Sequence, residues 1–328
     1  MERIKPVTIG IIALLLILLA FSFTLKKPKP QETTDYSQQQ TPKHHTTLAT
    51  NNTELLQKNI DFLQQHLEQI KVEAQSKTLA QPPQIQASQT QNPKLDSNFC
   101  MRNKPQLAII IDDIGTFAQY QAITQIPFKF TPSLFPKSKA NPDTPKIAKI
   151  APFYMIHLPL EALNFYQKEH QWLFVGDSKE KIESHIQTIK QDFPNLSYIN
   201  NHTGSKFTQD LESMSLLLET LKTHRINFVD SKTIGTTKTN AVYAKSPYVA
   251  FNPCQQTPLK RDVFLDNILE IPTITEQLIQ AVQIAKQKGY AIAIGHPHKA
   301  TLLALKNATN YLENSGVELV YINEIITP

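Results

Sequence analysis

From Gln106 onward the chain repeats one alternation: a short run of branched and aromatic apolar residues, then a stretch with helical spacing. The apolar runs are QLAIII (106–111), FKFTPSLF (128–135), FYMIHL (153–158), LSYI (196–199), INFV (226–229), YVAF (248–251), AIAI (291–294) and VELVYI (317–322). Near-continuous runs of this kind must be buried on both faces, as in a parallel sheet covered by helices. The intervening SKEKIESHIQTIKQDF, TQDLESMSLLLETLKTHR, TITEQLIQAVQIAKQKG and KATLLALKNATNYLENSG carry apolar residues three and four apart. Thr273 with Glu276 reads as a capping box opening one helix, Gly289 as the end of that helix, and Gly316 as the end of the last. Ser205 and Thr208 read as caps of a helix starting near Gln209. About seven or eight strands alternating with helices predict an α/β fold, either a (β/α) barrel or an open doubly wound sheet. The barrel is favoured because there is no glycine-rich first turn. The chain has only 8 glycines, with neither G-x-G-x-x-G nor a P-loop, which also argues against a phosphate-cradling nucleotide site.

The chain before Gln106 has a different texture. Residues 7–25, VTIGIIALLLILLAFSFTL, carry no charge, and as a helix they would reach roughly 30 Å, the thickness of a bilayer core. Arg3 and Lys5 precede them, which predicts a cytoplasmic tip and transmembrane anchor over 1–27. The rest of the chain would then lie on the periplasmic or extracytoplasmic side of the inner (cytoplasmic) membrane. A cleaved signal peptide, the alternative, would have a shorter apolar core and small residues at a cleavage site. Residues 28–104 read as a polar, proline-punctuated stalk. Within it, at 52–75, Leu56, Ile60, Leu63, Leu67 and Ile70 keep the a/d spacing of a coiled coil. That helix would serve self-association or lie on a surface. Most of the formal charge of +5 sits in residues 1–29, where five basic side chains stand against Glu2. Nucleic-acid binding thus loses its electrostatic basis. Two cysteines, Cys100 and Cys254, exclude a disulfide scaffold and a cysteine zinc finger, and outside the cytoplasm one bridge is permitted.

The chemistry gathers where strands end. Of ten histidines, His44, His45, His66, His170, His185 and His224 fall in the stalk, on helices or in connections. The other four, His157, His202, His296 and His298, fall at carboxyl ends of predicted strands. Asp112 and Asp113 end the first strand, and Asp230 ends another. In parallel α/β folds that edge is the ligand-binding mouth. Imidazoles and carboxylates converging there suit a divalent metal such as zinc, with a free carboxylate as base and a histidine as acid. The blander readings are a turn with an Asx cap for the aspartate pair and satisfied core positions for lone histidines. No serine nucleophile elbow is present.

The motifs IIIDDIG, MIHLPLE, NNHTGSKFT, NFVDSKT, RDVFLDN and AIAIGHPH, in this order across 105–328, resemble the divergent polysaccharide deacetylase family. The resemblance implies a distorted α/β barrel and a metal-dependent carbohydrate deacetylase. It implies Asp112 as base, Asp113 and His202 as metal ligands, and His296 or His298 as the acid. Ordinary polysaccharide deacetylases complete the metal site with H-x-x-x-H. Here the second histidine is Lys206, and the resemblance suggests His157 as the missing ligand from another strand. A lysine at a ligand position repels a cation unless it is deprotonated or turned away. Asp230 is a candidate for holding a site histidine or the substrate, or else a loop cap. Arg261 with Asp262 would orient the base, steady an oxyanion or form a structural ion pair. Glu161 is a further candidate for the mouth.

Two functions follow. In one, the chain is a membrane-anchored, metal-dependent deacetylase of N-acetylated envelope carbohydrate, a polysaccharide or a peptidoglycan-type glycan. In the other, the loss of the second histidine marks a non-catalytic carbohydrate-binding or envelope scaffold. A glycosidase with paired carboxylates is a weaker third.

Overall fold

The computed structural model describes residues 100–245, 248 and 250–327. The expected anchor at 7–25, the stalk up to residue 99 and the helix at 52–75 lie outside the described residues; residues 100–104, read as the end of the stalk, are described and are tied to the domain through Cys100 and Arg102. Among the described residues no helix is long and apolar enough to cross a membrane.

Among the described residues, nine strands form one parallel sheet: β1 (Gln106–Ile114), β2 (Thr131–Leu134), β3 (Met155–Leu160), β4 (Tyr198–Thr203), β5 (Asn227–Asp230), β6 (Leu259–Lys260), β7 (Val263–Phe264), β8 (Tyr290–Gly295) and β9 (Glu318–Val320). Eight helices among the described residues connect or flank them: α1 (Phe117–Ile123), α2 (Thr144–Ile150), α3 (Lys179–Asp192), α4 (Leu211–Thr223), α5 (Thr239–Lys245), α6 (Ile271–Lys288), α7 (Lys299–Asn307) and α8 (Thr309–Asn314). The strand order is β6-β5-β4-β3-β2-β1-β8-β7, with β9 also beside β1. β1 is long because it serves two neighbours in turn, β9 at Gln106–Ala108 and β2 from Ile110.

The two ends of this path are halves of one segment. Leu259–Lys260 pairs with β5, Val263–Phe264 pairs with β8, and only Arg261 and Asp262 stand between. Arg261 N donates to Asp230 O at 2.9 Å and Asp262 N to Ile292 O at 2.8 Å, so the segment bridges the gap residue by residue. The sheet is therefore curled into a barrel-like form, in agreement with the barrel expectation.

Period-2 alternation divides the side chains into two cores. Ala108, Ile110, Met155, Tyr198, Val229, Leu259, Ile292 and Ile294 pack together inside the curl. Their alternates, among them Leu107, Ile109, Ile111, Ile156, Leu158, Ile199 and Phe228, pack outward against helix residues such as Ile186, Leu217, Leu278 and Val282. Both faces are buried, so the apolar runs show no polar alternation. Each of these isoleucines and leucines stabilises the fold by about 1.5–3 kcal/mol of burial.

Several expectations of local structure need correction. The described residues of YVAF, Tyr248, Ala250 and Phe251, are not in a strand, and the place beside β5 goes to Leu259–Lys260. The second run pairs only from Thr131, with Phe128 and Phe130 packed instead on the outer core. The last run stops at Val320, because Glu324 accepts from Tyr321 N at 2.8 Å and draws Ile322–Glu324 into a 3-10 turn. α6 begins three residues before the expected capping box, with Pro272 in its first turn, so Thr273 and Glu276 lie inside the helix. Its end is as read: Gly289 takes φ 89°. Asp210, not Ser205 or Thr208, caps α4, accepting from Ser213 N at 2.7 Å.

Cys100 and Cys254 form a disulfide, with Cα atoms 5.2 Å apart. Beside it Thr327 N donates to Cys254 O and Arg102 donates to Ile326 O, so both ends of the domain are tied to the turn before β6.

Candidate metal centre

The inner face of each strand is apolar at its start and polar at its carboxyl end. Ala108 and Ile110 lead to Asp112, Met155 to His157, Tyr198 to Asn200 and His202, Val229 to Ser231, and Ile292 and Ile294 to His296. The same alternation that builds the inner core therefore delivers these side chains to one mouth. Asp113 follows Asp112 directly and a straight strand would turn it outward. A register irregularity between Ile111 and Ile114 and a left-handed backbone at Asp113 (φ 60°) bring it to the same mouth instead. Aspartate tolerates that conformation better than most residues, at a cost of order 1 kcal/mol.

Asn200 organises the base of the site. Its Nδ2 donates to both oxygens of Asp112 (2.9 and 3.0 Å) and to Ser231 Oγ (3.1 Å). Those partners fix the amide orientation, so Oδ1 is left to accept from Ser133 Oγ (2.7 Å) and from His157 Nδ1 (3.0 Å). His157 thus carries its proton on Nδ1, and Nε2 turns its lone pair to the mouth. There Nε2 is 3.2 Å from Asp113 Oδ1 and 3.1 Å from His202 Nδ1, which is itself 3.1 Å from Asp113 Oδ1. Asp113 Oδ1 is buried without an aligned hydrogen-bond donor. Three ligand atoms of a tetrahedral zinc with bonds of 2.0–2.1 Å stand roughly 3.3 Å apart, so the donor set and its spacing fit such an ion.

The electrostatics agree. Burial works against the charge of Asp113, but attraction to His157 and His202 more than offsets it and holds the carboxyl well below the usual range. Burial likewise opposes a charged His157, yet Asp112 and Asp113 push its pKa up. Burial and the neighbouring His157 push His202 down. A carboxylate against two imidazoles asks for one positive charge among them, as a proton or as a metal.

Across the mouth stands a second aspartate–histidine pair. Asp266, missed by the sequence reading although it lies within RDVFLDN, accepts from His296 Nδ1 (3.0 Å), His296 N (2.6 Å) and Thr301 Oγ1 (2.7 Å). His296 Nε2 then faces the first cluster, 3.9 Å from Asp113 Oδ2. Burial opposes its charge, but the Asp266 hydrogen bond and the surrounding carboxylates push its pKa up to about 9. His298 is exposed at the start of α7, its ring 5.7 Å from that of His296. Asp266, His296 and His298 also stand close enough to share an ion.

The remaining candidates do other work. Lys206 turns away from the cluster, its Nζ 2.6 Å from Glu161 Oε1. Glu161 in turn accepts from Val175 N at 2.9 Å and joins the loops after β3 and β4 rather than facing the metal ligands. Asp230 accepts from Lys232 N and Thr237 Oγ1, both at 2.8 Å, as a loop cap, and contacts no site histidine. Arg261 does not pair with Asp262: it donates to Ser231 O (2.6 Å) and Lys232 O (2.7 Å), while Asp262 pairs with Lys288 at 2.9 Å. His170, assigned to a connection, stacks on Phe135 with centroids 4.2 Å apart and lies 5.4 Å from the His202 ring. No strand-end pattern marks it, because it reaches the site from a loop.

A family model described as divergent polysaccharide deacetylase matches residues 109–326. The chain is 32% identical over 206 residues to the uncharacterised protein YibQ of Escherichia coli K12, covering 61% of either chain. It is 28% identical over 229 residues to an uncharacterised protein of Haemophilus influenzae, covering 68% of this chain and 79% of the other. The solved structure of the uncharacterised protein ATU2773 of Agrobacterium tumefaciens C58 shares the fold, with a TM-score of 0.57 at 16% identity, over 68% of this chain and 89% of that one.

Proposed function

The chain belongs to the divergent polysaccharide deacetylase family, and we propose that it is a metal-dependent hydrolase removing acetyl groups from N-acetylated envelope carbohydrate. In this reading it works from an anchor at 7–25, with its globular domain outside the cytoplasm. The observation that carries the hydrolase reading is the Asp113–His157–His202 triangle, with Asp112 below it and His296 across from it. Asp113, His157 and His202 would hold a divalent cation, zinc first among them. When bound, it supplies Lewis acidity that polarises an acyl oxygen and acidifies water.

The chain's own residues supply the proton transfers. Asp112, steadied by Asn200, takes the proton of the attacking water. As the carbon–nitrogen bond breaks, the departing amine takes a proton from His296 Nε2. His296 suits this role better than His298, since its other nitrogen is tied to Asp266, whose hydrogen bond favours the charged imidazole. Lys206 does not count against the site, because its ammonium is held by Glu161.

The test is metal content and acetate release by the full chain beside an Asp113→Ala/His202→Ala variant. About one metal per chain and acetate release, both lost in the variant, are expected. A wild-type chain that binds no metal even after reconstitution with zinc or cobalt would leave the carbohydrate-binding scaffold as the better reading. Protease protection of the domain in intact and permeabilised cells tests its placement outside the cytoplasm.

A further inference from the structure

At the pole of the barrel opposite the mouth, where β5 begins, α4 and α5 wall a cavity of about 260 Å³. Leu218 and Leu221 from α4, Val242 and Tyr243 from α5, and Ile226 and Phe251 beside β5 give it an apolar lining. Tyr248 lines it too, with a buried hydroxyl that has no hydrogen-bond partner. Such a hydroxyl is costly until an occupant supplies one. The rim is basic. Lys222 and Lys245 line the cavity, Arg225 stands 5.8 Å over the Phe251 ring, and Glu219 is the single acid among the described lining residues.

The chain outside the described residues ends beside this cavity. Cys100 is bonded to Cys254, three residues after Phe251, with Cα atoms 5.2 Å apart, so Cys100 lies within about 16 Å of Phe251. Upstream, the stretch 52–75 sets Leu56, Ile60, Leu63, Leu67 and Ile70 on one stripe, which needs an apolar surface to cover it. The same stretch carries Glu54, Asp61, Glu68 and Glu73 against Lys58 and Lys71, opposite in net sign to the rim. Residues 76–99 join the two, and as a coil they would span about 27 Å, enough to bring the stripe back to the cavity.

We propose that this cavity is the docking site of the chain's own stretch 52–75, whose apolar stripe seats between α4 and α5. A tethered segment meets the cavity at an effective concentration of order 1 mM, which favours it over the same segment of a second copy. Docking leaves the mouth open, because the cavity is at the other pole. It shortens the tether between the apolar run 7–25 and the domain from residues 26–99 to 26–51. As coils these would span about 47 Å and about 28 Å, so docking sets how far the mouth can reach. The docking is independent of the chemistry at the mouth.

The test uses the full chain in lipid nanodiscs, with photoreactive p-benzoylphenylalanine in place of Leu63, irradiated as a mixture of isotopically light and heavy protein. Crosslinks within one chain to residues 215–251 are expected, read by mass spectrometry. In the chain without the photoreactive group, Leu63→Asp/Leu67→Asp should quicken hydrogen exchange of α4 and α5 about tenfold relative to wild type. Both substitutions lie outside the barrel, and the emission of Trp172, the single tryptophan of the chain, checks that the barrel is still folded. Crosslinks that join light to heavy chains would give the cavity to a second copy and overturn the docking. Crosslinks confined to other surfaces, or exchange in α4 and α5 that the double variant leaves unchanged, would overturn it as well.

Discussion

The mouth of the curled sheet holds two aspartate–histidine groups built from the same residue types to opposite ends. On the β1–β3–β4 side, two buried imidazoles turn nitrogens toward one carboxylate oxygen, and Asn200 holds the His157 proton on the far nitrogen. On the β7–β8 side the carboxylate is the buried partner, and it holds His296 by the nitrogen away from the mouth. In the first group the proton is kept out of the centre, leaving lone pairs and a negative charge for a cation. In the second the proton is kept on the imidazole, ready to be given. The two groups differ in what holds the far nitrogen: the Asn200 amide, with Asp112 3.5 Å away, for His157, and the Asp266 carboxylate for His296.

The harshest way to break the comparison is to remove the first group. Asp113→Ala or His202→Ala should abolish metal binding and lower acetate release about 10³-fold or more. Elemental analysis and turnover on one preparation check this. Retained metal in Asp113→Ala would place the ion at Asp266, His296 and His298 instead.

Asp266→Asn attacks the second group and should leave metal content unchanged. An amide keeps the size of the carboxylate but withdraws the charge that stabilises the imidazolium, so the His296 pKa should fall from about 9 toward the ordinary histidine value. The loss in kcat/KM should be about 10²–10⁴-fold. Because the folded-state pKa is raised, the stability this pair contributes is fully present below about pH 6.5 and is lost as pH rises through about 9. Titration of the imidazole signals by NMR in the metal-free protein, wild type beside variant, measures the shift directly. An unchanged His296 titration would sink the assignment of its charge to Asp266.

Asn200→Leu tests the amide's part. It removes the acceptor that fixes the His157 proton on Nδ1 and the donor that holds Asp112. Metal affinity should fall about 10–100-fold, the size of effect seen when the outer partner of a ligating histidine is lost. Competition against a chromophoric chelator gives the number. An affinity equal to wild type would mean that the tautomer is set elsewhere.

How much of this was legible depends on the length scale of each signal. The aspartate pair after a run of isoleucines and the histidines at strand ends were readable, because strand burial and strand-end chemistry leave local patterns. The turning of Asp113 into the mouth was not, since it needs an irregularity of pairing between β1 and β2 that no single strand encodes. YVAF misled because its composition suits a strand, while the true neighbour of β5 is a two-residue segment too short to show any period. That same brevity hid Asp266, which follows the two-residue β7. His170 comes from a loop, where side-chain position depends on the bridge between Leu160 and Leu173 rather than on periodicity.

The smallest predicted effect concerns the residue that most tempts a non-catalytic reading. Lys206 occupies the place of a second histidine, and a cation-repelling ammonium there would favour loss of metal. Its Nζ is instead paired with Glu161 at 2.6 Å, and about half of its side chain is exposed at 47%. Pairs so exposed contribute about 0–1 kcal/mol. Lys206→Ala should therefore shift thermal stability only slightly and change zinc affinity by less than about threefold, with the weak change on the loop that Glu161 ties down rather than on the ligands. A large gain in zinc affinity would show that the ammonium does act on the centre, and that the two sides of the mouth are less independent than their hydrogen bonds imply. Lys206→His sharpens the point. Because position 206 is turned toward Glu161 and His157 already supplies the third donor from the adjacent strand, an added imidazole there should not raise affinity beyond that of Lys206→Ala.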